Sequence, residues 1–191
     1  YFKFSDRYSI YDWGEMPDKI PNKGKALAAM STTFYKYIDF NKMNHHYLET
    51  DKGQDYIKVQ QVDVLRPEVI DGKYDYSAYA KRPTNTLVPL EVIFRLGLPQ
   101  GSSFFKRAND RNYLDTLGVN HAPAQGEFFN KPVVEFSTKL EPLDRYLSYT
   151  EARHISGMSE VEFSELKELT IDLALKLNTI FFILLVLGSI N

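Results

Sequence analysis

The strongest chemical signal in the sequence is the stretch Glu91-Val92-Ile93-Phe94-Arg95-Leu96-Gly97-Leu98-Pro99-Gln100-Gly101-Ser102-Ser103-Phe104-Phe105-Lys106-Arg107. An Arg ending an apolar, strand-like run is followed by a Gly-Ser-Ser turn and a Lys-Arg pair. A phosphate monoester needs such a set: a guanidinium fork for two oxygens, short hydroxyl donors, and a glycine that lets backbone N–H groups approach. A solvated surface turn would use the same residues, and spacing alone does not choose between the two. In a second cluster, Glu135 to Tyr146, a strand runs into a loop bearing Lys139, Glu141 and Asp144. A Lys there can hold a carboxylate or a developing negative charge, and Asp144 can orient an amine or a cation. A charged, solvated loop is the plainer reading. A third cluster, Asp6-Arg7-Tyr8-Ser9-Ile10-Tyr11-Asp12-Trp13-Gly14, leads on to Lys23-Gly24 and sets the single Trp beside acids in a loop leaving a strand. Loops of that kind carry substrate contacts, although packing of Trp13 into a lobe interface is the plainer reading.

Other motifs are weak or missing. His45 and His46 are adjacent, so they cannot share a helical metal site as an i, i+4 pair would. There is no Walker loop and no Gly-x-Ser-x-Gly elbow. A kinase-like phosphotransferase would need a His-Arg-Asp loop, and Arg153-His154 lacks the following acid.

Several elements must position these clusters. Tyr1 to Phe4 reads as a strand, and Ser5 to Lys25 as a polar loop punctuated by Pro17, Pro21, Asn22 and Gly24. Leu27, Met30, Phe34, Tyr37 and Ile38 recur at helical steps, predicting a helix over about 25–42. Tyr56 to Leu65 reads as a bulged strand, Asp71-Gly72 as a hairpin turn, and Leu87 to Phe94 and Pro132 to Thr138 as further strands. Ser159 and Glu162 have capping-box spacing ahead of an apolar stripe of Phe163, Leu166, Leu169, Leu173, Leu177, Ile180 and Leu184. The order of elements implies an α+β protein with a lobe boundary near 86.

The 191 residues include 43% hydrophobic and 14% aromatic residues, enough for a folded core. Twenty-three Lys plus Arg against 25 Asp plus Glu give a net charge of −2, so no global field favours nucleic acid or an anionic membrane. Any phosphate binding must be local. The absence of Cys removes disulfides, zinc–thiolate sites and thiol nucleophiles, which suits a cytoplasmic protein. No targeting peptide is visible, and the apolar run Ile180 to Leu187 is far short of the roughly 20 residues that span a bilayer. It reads as a helix end or core strand of the buried kind, left bare because what should cover it is absent.

The three clusters, in this order, resemble the phosphoribosylaminoimidazole-succinocarboxamide synthase (SAICAR synthetase) family. The matching stretches are Ser5 to Asp12 running on to Pro21-Asn22-Lys23-Gly24, then Val88 to Arg95 with Gly101-Ser102, then Thr138-Lys139 with Glu141 and Asp144. The resemblance covers the chain to about Asn178. It implies a two-lobed α+β fold with an ATP-grasp-like and kinase-like cleft, divided into lobes 1–86 and 87–191 and truncated at both ends. The implied activity is an ATP- and Mg2+-dependent cytoplasmic ligase of purine biosynthesis, joining L-aspartate to carboxyaminoimidazole ribonucleotide (CAIR). A non-catalytic sugar-phosphate-binding fragment of the same fold is the alternative, and a homo-oligomer stays open. Carried over by position, Arg95 and Ser102 become ligands of the ribonucleotide phosphate, helped by Ser103 and Arg107. Glu91 lies on the ribonucleotide side, Lys139 and Asp144 near the reacting groups, and Ser9 and Asp12 in a closing loop shaped by Asp6 and Arg7. This chain has one residue more between Arg95 and Gly101 than the commoner pattern, which leaves Ser102 and Ser103 as alternatives. The resemblance assigns no nucleotide or metal ligand here.

Overall fold

The structure, a computed structural model, describes residues 1–10, 13–37, 45–48, 53–121 and 123–188, with the side chains of 37 and 183–188 left aside. It contains two compact units, Tyr1–Gln61 and Val62–Asn191.

In the first unit, β1 (Phe2–Lys3), β2 (Arg7–Ile10), β3 (Gly14–Lys19), α1 (Lys23–Tyr37), β4 (Tyr47–Leu48) and β5 (Tyr56–Val59) follow in order. β5 sits between β1 and β4, and α1 packs on it, with Ala28 and Ile57 buried. The segment read as a polar loop contains an antiparallel β2–β3 hairpin, tied by an Arg7–Glu15 ion pair at 3.2 Å. Its strands are almost wholly exposed, so no apolar alternation marks them. The Asp6 carboxylate accepts the backbone N–H groups of Gly24 (2.9 Å) and Asn22 (3.2 Å), and α1 accordingly opens at Lys23, ahead of the expected start. Of the expected helix, residues 38–42 lie outside the described residues. The strand expected over Tyr56 to Leu65 stops at Val59; beyond it, Asp63 pairs with Thr86 instead.

The second unit comprises β6 (Glu68–Ile70), β7 (Lys73–Asp75), α2 (Ser77–Ala80), β8 (Leu90–Gly97), a 3-10 turn (Ser103–Lys106), α3 (Arg111–Leu117), β9 (Phe128–Thr138), β10 (Tyr146–Leu147), α4 (Tyr149–Ser156) and α5 (Glu160–Gly188). Asp71 and Gly72 both adopt positive φ, 49° and 75°, the turn that the hairpin signal predicts between β6 and β7. The sequence placed the lobe boundary near 86, whereas the compact units divide after Gln61. Residues 62–86 are joined to the second unit through Tyr76 to Glu141, Arg82 to Glu162 and the packing of α2 on α4.

β9 is the central strand of an antiparallel sheet ordered β10-β9-β8. One sheet face carries Leu90, Val134 and Phe136 against Ala152 and Ile155 of α4 and Phe163 and Ile171 of α5. On the opposite face of β9, Val133 joins Leu98, Phe104, Ala108, Leu114 and Val119, which seat the 3-10 turn and α3. α5 starts with the expected capping box, Glu162 N–H donating to Ser159 Oγ (3.3 Å) and Ser159 N–H to Glu162 Oε2 (2.8 Å). Its inward positions are Phe163, Ile171 and Ala174, while Leu169, expected on the stripe, is exposed. Phe181 and Phe182 are exposed as well, as expected of an apolar helix end left bare. Among the described residues no helix is long and apolar enough to cross a membrane.

α4 ends at Gly157, whose φ of 68° is left-handed, and a Cβ at that position would run into the backbone carbonyl of Tyr79. Gly118, closing α3 at φ 71°, has open space around it. Gly118→Ala is expected to cost about 1–2 kcal/mol, the strain of a left-handed residue alone. Gly157→Ala should cost ~3 kcal/mol or more, because backbone must also move. Urea unfolding of both variants measures the difference; equal costs would contradict the close approach of α4 to Tyr79.

Candidate functional site

The antiparallel register pairs Glu91 with Ser137, Ile93 with Glu135, and Arg95 with Val133. Side chains alternate across a strand, so Glu91, Arg95, Glu135 and Ser137 all project from the face opposite Leu90, Val92, Val134 and Phe136. Two charged groups result, one at each end of this ladder.

At the Arg95 end, Nη1 donates to Ser102 Oγ and Nη2 to Ser103 Oγ, each at 3.3 Å. Ser102 also caps the 3-10 turn by accepting the N–H of Phe104, and Ser103 Oγ lies 3.3 Å from the Tyr146 hydroxyl. Arg95 thus engages both serines that the sequence left as alternatives. Its Nε donates to Glu135 Oε2. Arg107, delivered by the end of the 3-10 turn, donates from Nη2 to Glu135 Oε1 (3.0 Å) and lies 3.3 Å over the Tyr146 ring. Tyr113, oriented by α3 with Asp110 as its N-cap, donates its hydroxyl to Glu135 Oε1. The Glu135 side chain is only 1% exposed, against 16% for Arg95 and 21% for Arg107. Two guanidiniums around one carboxylate leave a net positive charge, suited to an anion. Burial, then the bond to Glu135, pushes the Tyr113 phenol well above its ordinary value, so it stays a donor. Arg107, Tyr113, Glu135, Tyr146, Tyr149 and Lys167 line a cleft of about 250 Å³; Arg95 and its serines lie outside it.

At the other end, Lys139 Nζ donates to Glu91 Oε1 at 2.6 Å, and Ser137 Oγ to Glu91 Oε2 at 3.5 Å. The hydrogen bond to Glu91 raises the Lys139 ammonium above its ordinary value, and exposed Asp144 adds a longer-range attraction. Glu141, by contrast, accepts from Tyr76 (2.9 Å) and Arg145 (3.1 Å) with its side chain 6% exposed.

In the first unit, Ser9 is exposed on β2 opposite Glu15, and Arg7 is ion-paired with that glutamate. Asp12 lies outside the described residues. Trp13, read as an interface residue, is 81% exposed. Among the described residues no three His, Cys, Asp or Glu side chains group as metal ligands, so no magnesium site is assigned.

The sequence reading gave Glu135, Tyr113 and Tyr146 no role. Glu135 carried a usable signal, a carboxylate in the apolar run Pro132-Val133-Val134-Glu135-Phe136, which must find partners once buried. Tyr113 had none, because its meeting with Glu135 depends on how α3 packs.

The sequence model of the SAICAR synthetase family matches residues 1–182. A protein of Archaeoglobus fulgidus, provisionally named phosphoribosylaminoimidazole-succinocarboxamide synthase, is 39% identical over 183 residues, covering 89% of this chain and 54% of its own length. The phosphoribosylaminoimidazole-succinocarboxamide synthase of Thermoplasma acidophilum is 32% identical, covering 87% of this chain and 52% of its own. The chain spans about half the length of these curated relatives. Among solved structures, a SAICAR synthetase in complex with ADP superposes with a TM-score of 0.61 at 20% identity, over 92% of this chain and 58% of that one. The SAICAR synthetase of Pyrococcus horikoshii gives 0.62 at 20%, over 92% and 60%. Those two structures speak for the fold, and the family match and the 39% identity speak for descent. The chain belongs to the SAICAR synthetase family.

Proposed function

We propose that this chain carries the ribonucleotide side of an ATP-dependent ligase that joins L-aspartate to the carboxylate of CAIR, giving SAICAR, ADP and phosphate. The observation that carries this reading is the convergence of Arg95 on Ser102 and Ser103, backed by Glu135. Each Nη of a guanidinium bears two N–H groups. One per nitrogen is directed at a serine, and the others remain for oxygens of a ribose-bound phosphate, with Arg107 adding positive charge. At about 3.3 Å per residue, Glu91 lies roughly 13 Å from Arg95 along β8. That is the scale of a nucleotide from its phosphate to the far edge of its base, so the Glu91–Lys139 pair is suited to the reacting end.

In the proposed course, an oxygen of the CAIR carboxylate attacks the γ-phosphorus of ATP and ADP leaves. The aspartate amine then attacks the resulting acyl phosphate carbon, forming the C–N bond as phosphate departs and the amine loses a proton. Lys139, kept charged by Glu91, offsets the negative charge that develops on the carboxyl oxygens. Asp144 faces the incoming amine. Positioning and charge neutralisation supply most of the acceleration in such a route. Bound magnesium would screen the phosphates of ATP, and neither its ligands nor those of ATP are assigned to residues of this chain. A cytoplasmic location is part of the same proposal.

Calorimetry with CAIR tests the phosphate grip: Arg95→Ala is expected to lose more than about 1.5 kcal/mol, roughly tenfold in affinity. Unchanged affinity would refute the grip. Adding ATP, magnesium and aspartate discriminates further, since CAIR binding without aspartate-dependent ADP release would support a sugar-phosphate-binding module instead. A second measurement follows the Lys139 side chain by NMR across alkaline pH. Because Glu91 raises its pKa, the ammonium persists above the ordinary lysine value, and Glu91→Gln should move the titration downward. An unmoved titration would separate the two residues.

A further inference from the structure

The charge cluster has one member that a ligand cannot reach. The Glu135 carboxylate is 1% exposed, and both oxygens are taken: Oε2 by Arg95 Nε, Oε1 by Arg107 Nη2 at 3.0 Å and by the Tyr113 hydroxyl. Those bonds nevertheless decide where the two cations point. A guanidinium held at Nε by a buried carboxylate cannot swing about its own stem, and its Nη edge is committed to the side where Ser102 and Ser103 stand. Arg107 is restrained from three sides, by Glu135, by the Tyr146 ring 3.3 Å from its centre and by the Tyr113 hydroxyl at 3.2 Å. Its own Nε is buried, with no partner among the described residues. Without a shared counter-charge, two guanidiniums at close quarters repel and turn toward water.

We propose that Glu135 is the positioning residue of the anion site, its buried carboxylate clamping Arg95 and Arg107 in one orientation so that a sugar phosphate meets donors already aligned. The proposal rests on the reading of Arg95 and Ser102 as phosphate ligands. Glu135 itself touches no substrate; it acts through the two guanidiniums, as an outer partner orients the inner ligands of an ion.

The test titrates ribose 5-phosphate into the 191-residue chain and into its Arg95→Ala, Glu135→Gln and Tyr113→Phe variants. Circular dichroism checks folding, and 1H–15N spectra follow the arginine Nε–H resonances. Glu135→Gln keeps the shape and removes the charge. It should weaken binding by about tenfold or more, as loss of an orienting outer partner does at ion sites, and should move the Arg95 Nε–H signal toward that of free arginine. A merely structural role would leave that signal in place in the folded variant. Unchanged affinity in Arg95→Ala refutes the phosphate reading itself. Loss of binding in Arg95→Ala, with folded Glu135→Gln within about twofold of wild type and its Nε–H signal unmoved, overturns the positioning role alone. Should Glu135→Gln fail to fold, Tyr113→Phe decides. It keeps the charge but cuts one tie, with an expected loss of about threefold, the worth of one net hydrogen bond, and an altered Arg107 signal. No change in either overturns the proposal.

Discussion

A carboxylate buried in the middle of a sheet is stable only if cations reach it, and Glu135 dictates what must surround it. Removing one partner from such a pair costs roughly 3–5 kcal/mol, a large share of a small unit's total stability. β8 supplies the first cation through its register, which sets Arg95 two pairs along from the Ile93–Glu135 pair and on the same face. The 3-10 turn supplies the second, Arg107, and α3 supplies the Tyr113 hydroxyl. A slip of one residue between β8 and β9 would send Arg95 to the opposite face, among the apolar side chains packed on α4 and α5. The charge cluster therefore fixes the register as firmly as the hydrophobic pattern does.

The apolar packing divides the work between the two sheet faces. Phe136, Phe163 and their neighbours bury one face and carry the bulk of the unit, with ring pairs such as Phe136–Phe163 at 4.8 Å. The smaller cluster around Phe104 and Leu98 holds the 3-10 turn and α3 against β9. That second cluster is the reason a turn rich in Ser and Gly can present hydroxyls at fixed places. Phe104 is fully buried in that cluster, which anchors the neighbouring Ser102 and Ser103. Along the same strands, Glu91 of the Glu91–Lys139 pair sits four residues from Arg95 on the same face. One pair of strands therefore spaces two sets of charges by its rise alone.

Local chemistry was readable in sequence. Arg95, Ser102 and Ser103 stood out by type and spacing, the Asp71-Gly72 turn by its need for positive φ, and the α5 start by Ser159 and Glu162. The β2–β3 hairpin was not, because both its strands are exposed and lack alternation. α3 escaped for a related reason, since a seven-residue helix shows too little of the helical period to be read.

The sequence by itself determined the mixed α+β class, the absence of thiol chemistry, the family resemblance, and the residue types able to hold a phosphate, because these follow from composition and from neighbours along the chain. Tertiary structure alone decided that Arg95 engages both serines, that Glu91 meets Lys139 across 48 positions, and that Glu135 is shared by Arg95, Arg107 and Tyr113. Side chains so far apart in sequence are brought within hydrogen-bonding reach only by strand register and helix packing, and neither quantity is written in any local pattern of residues.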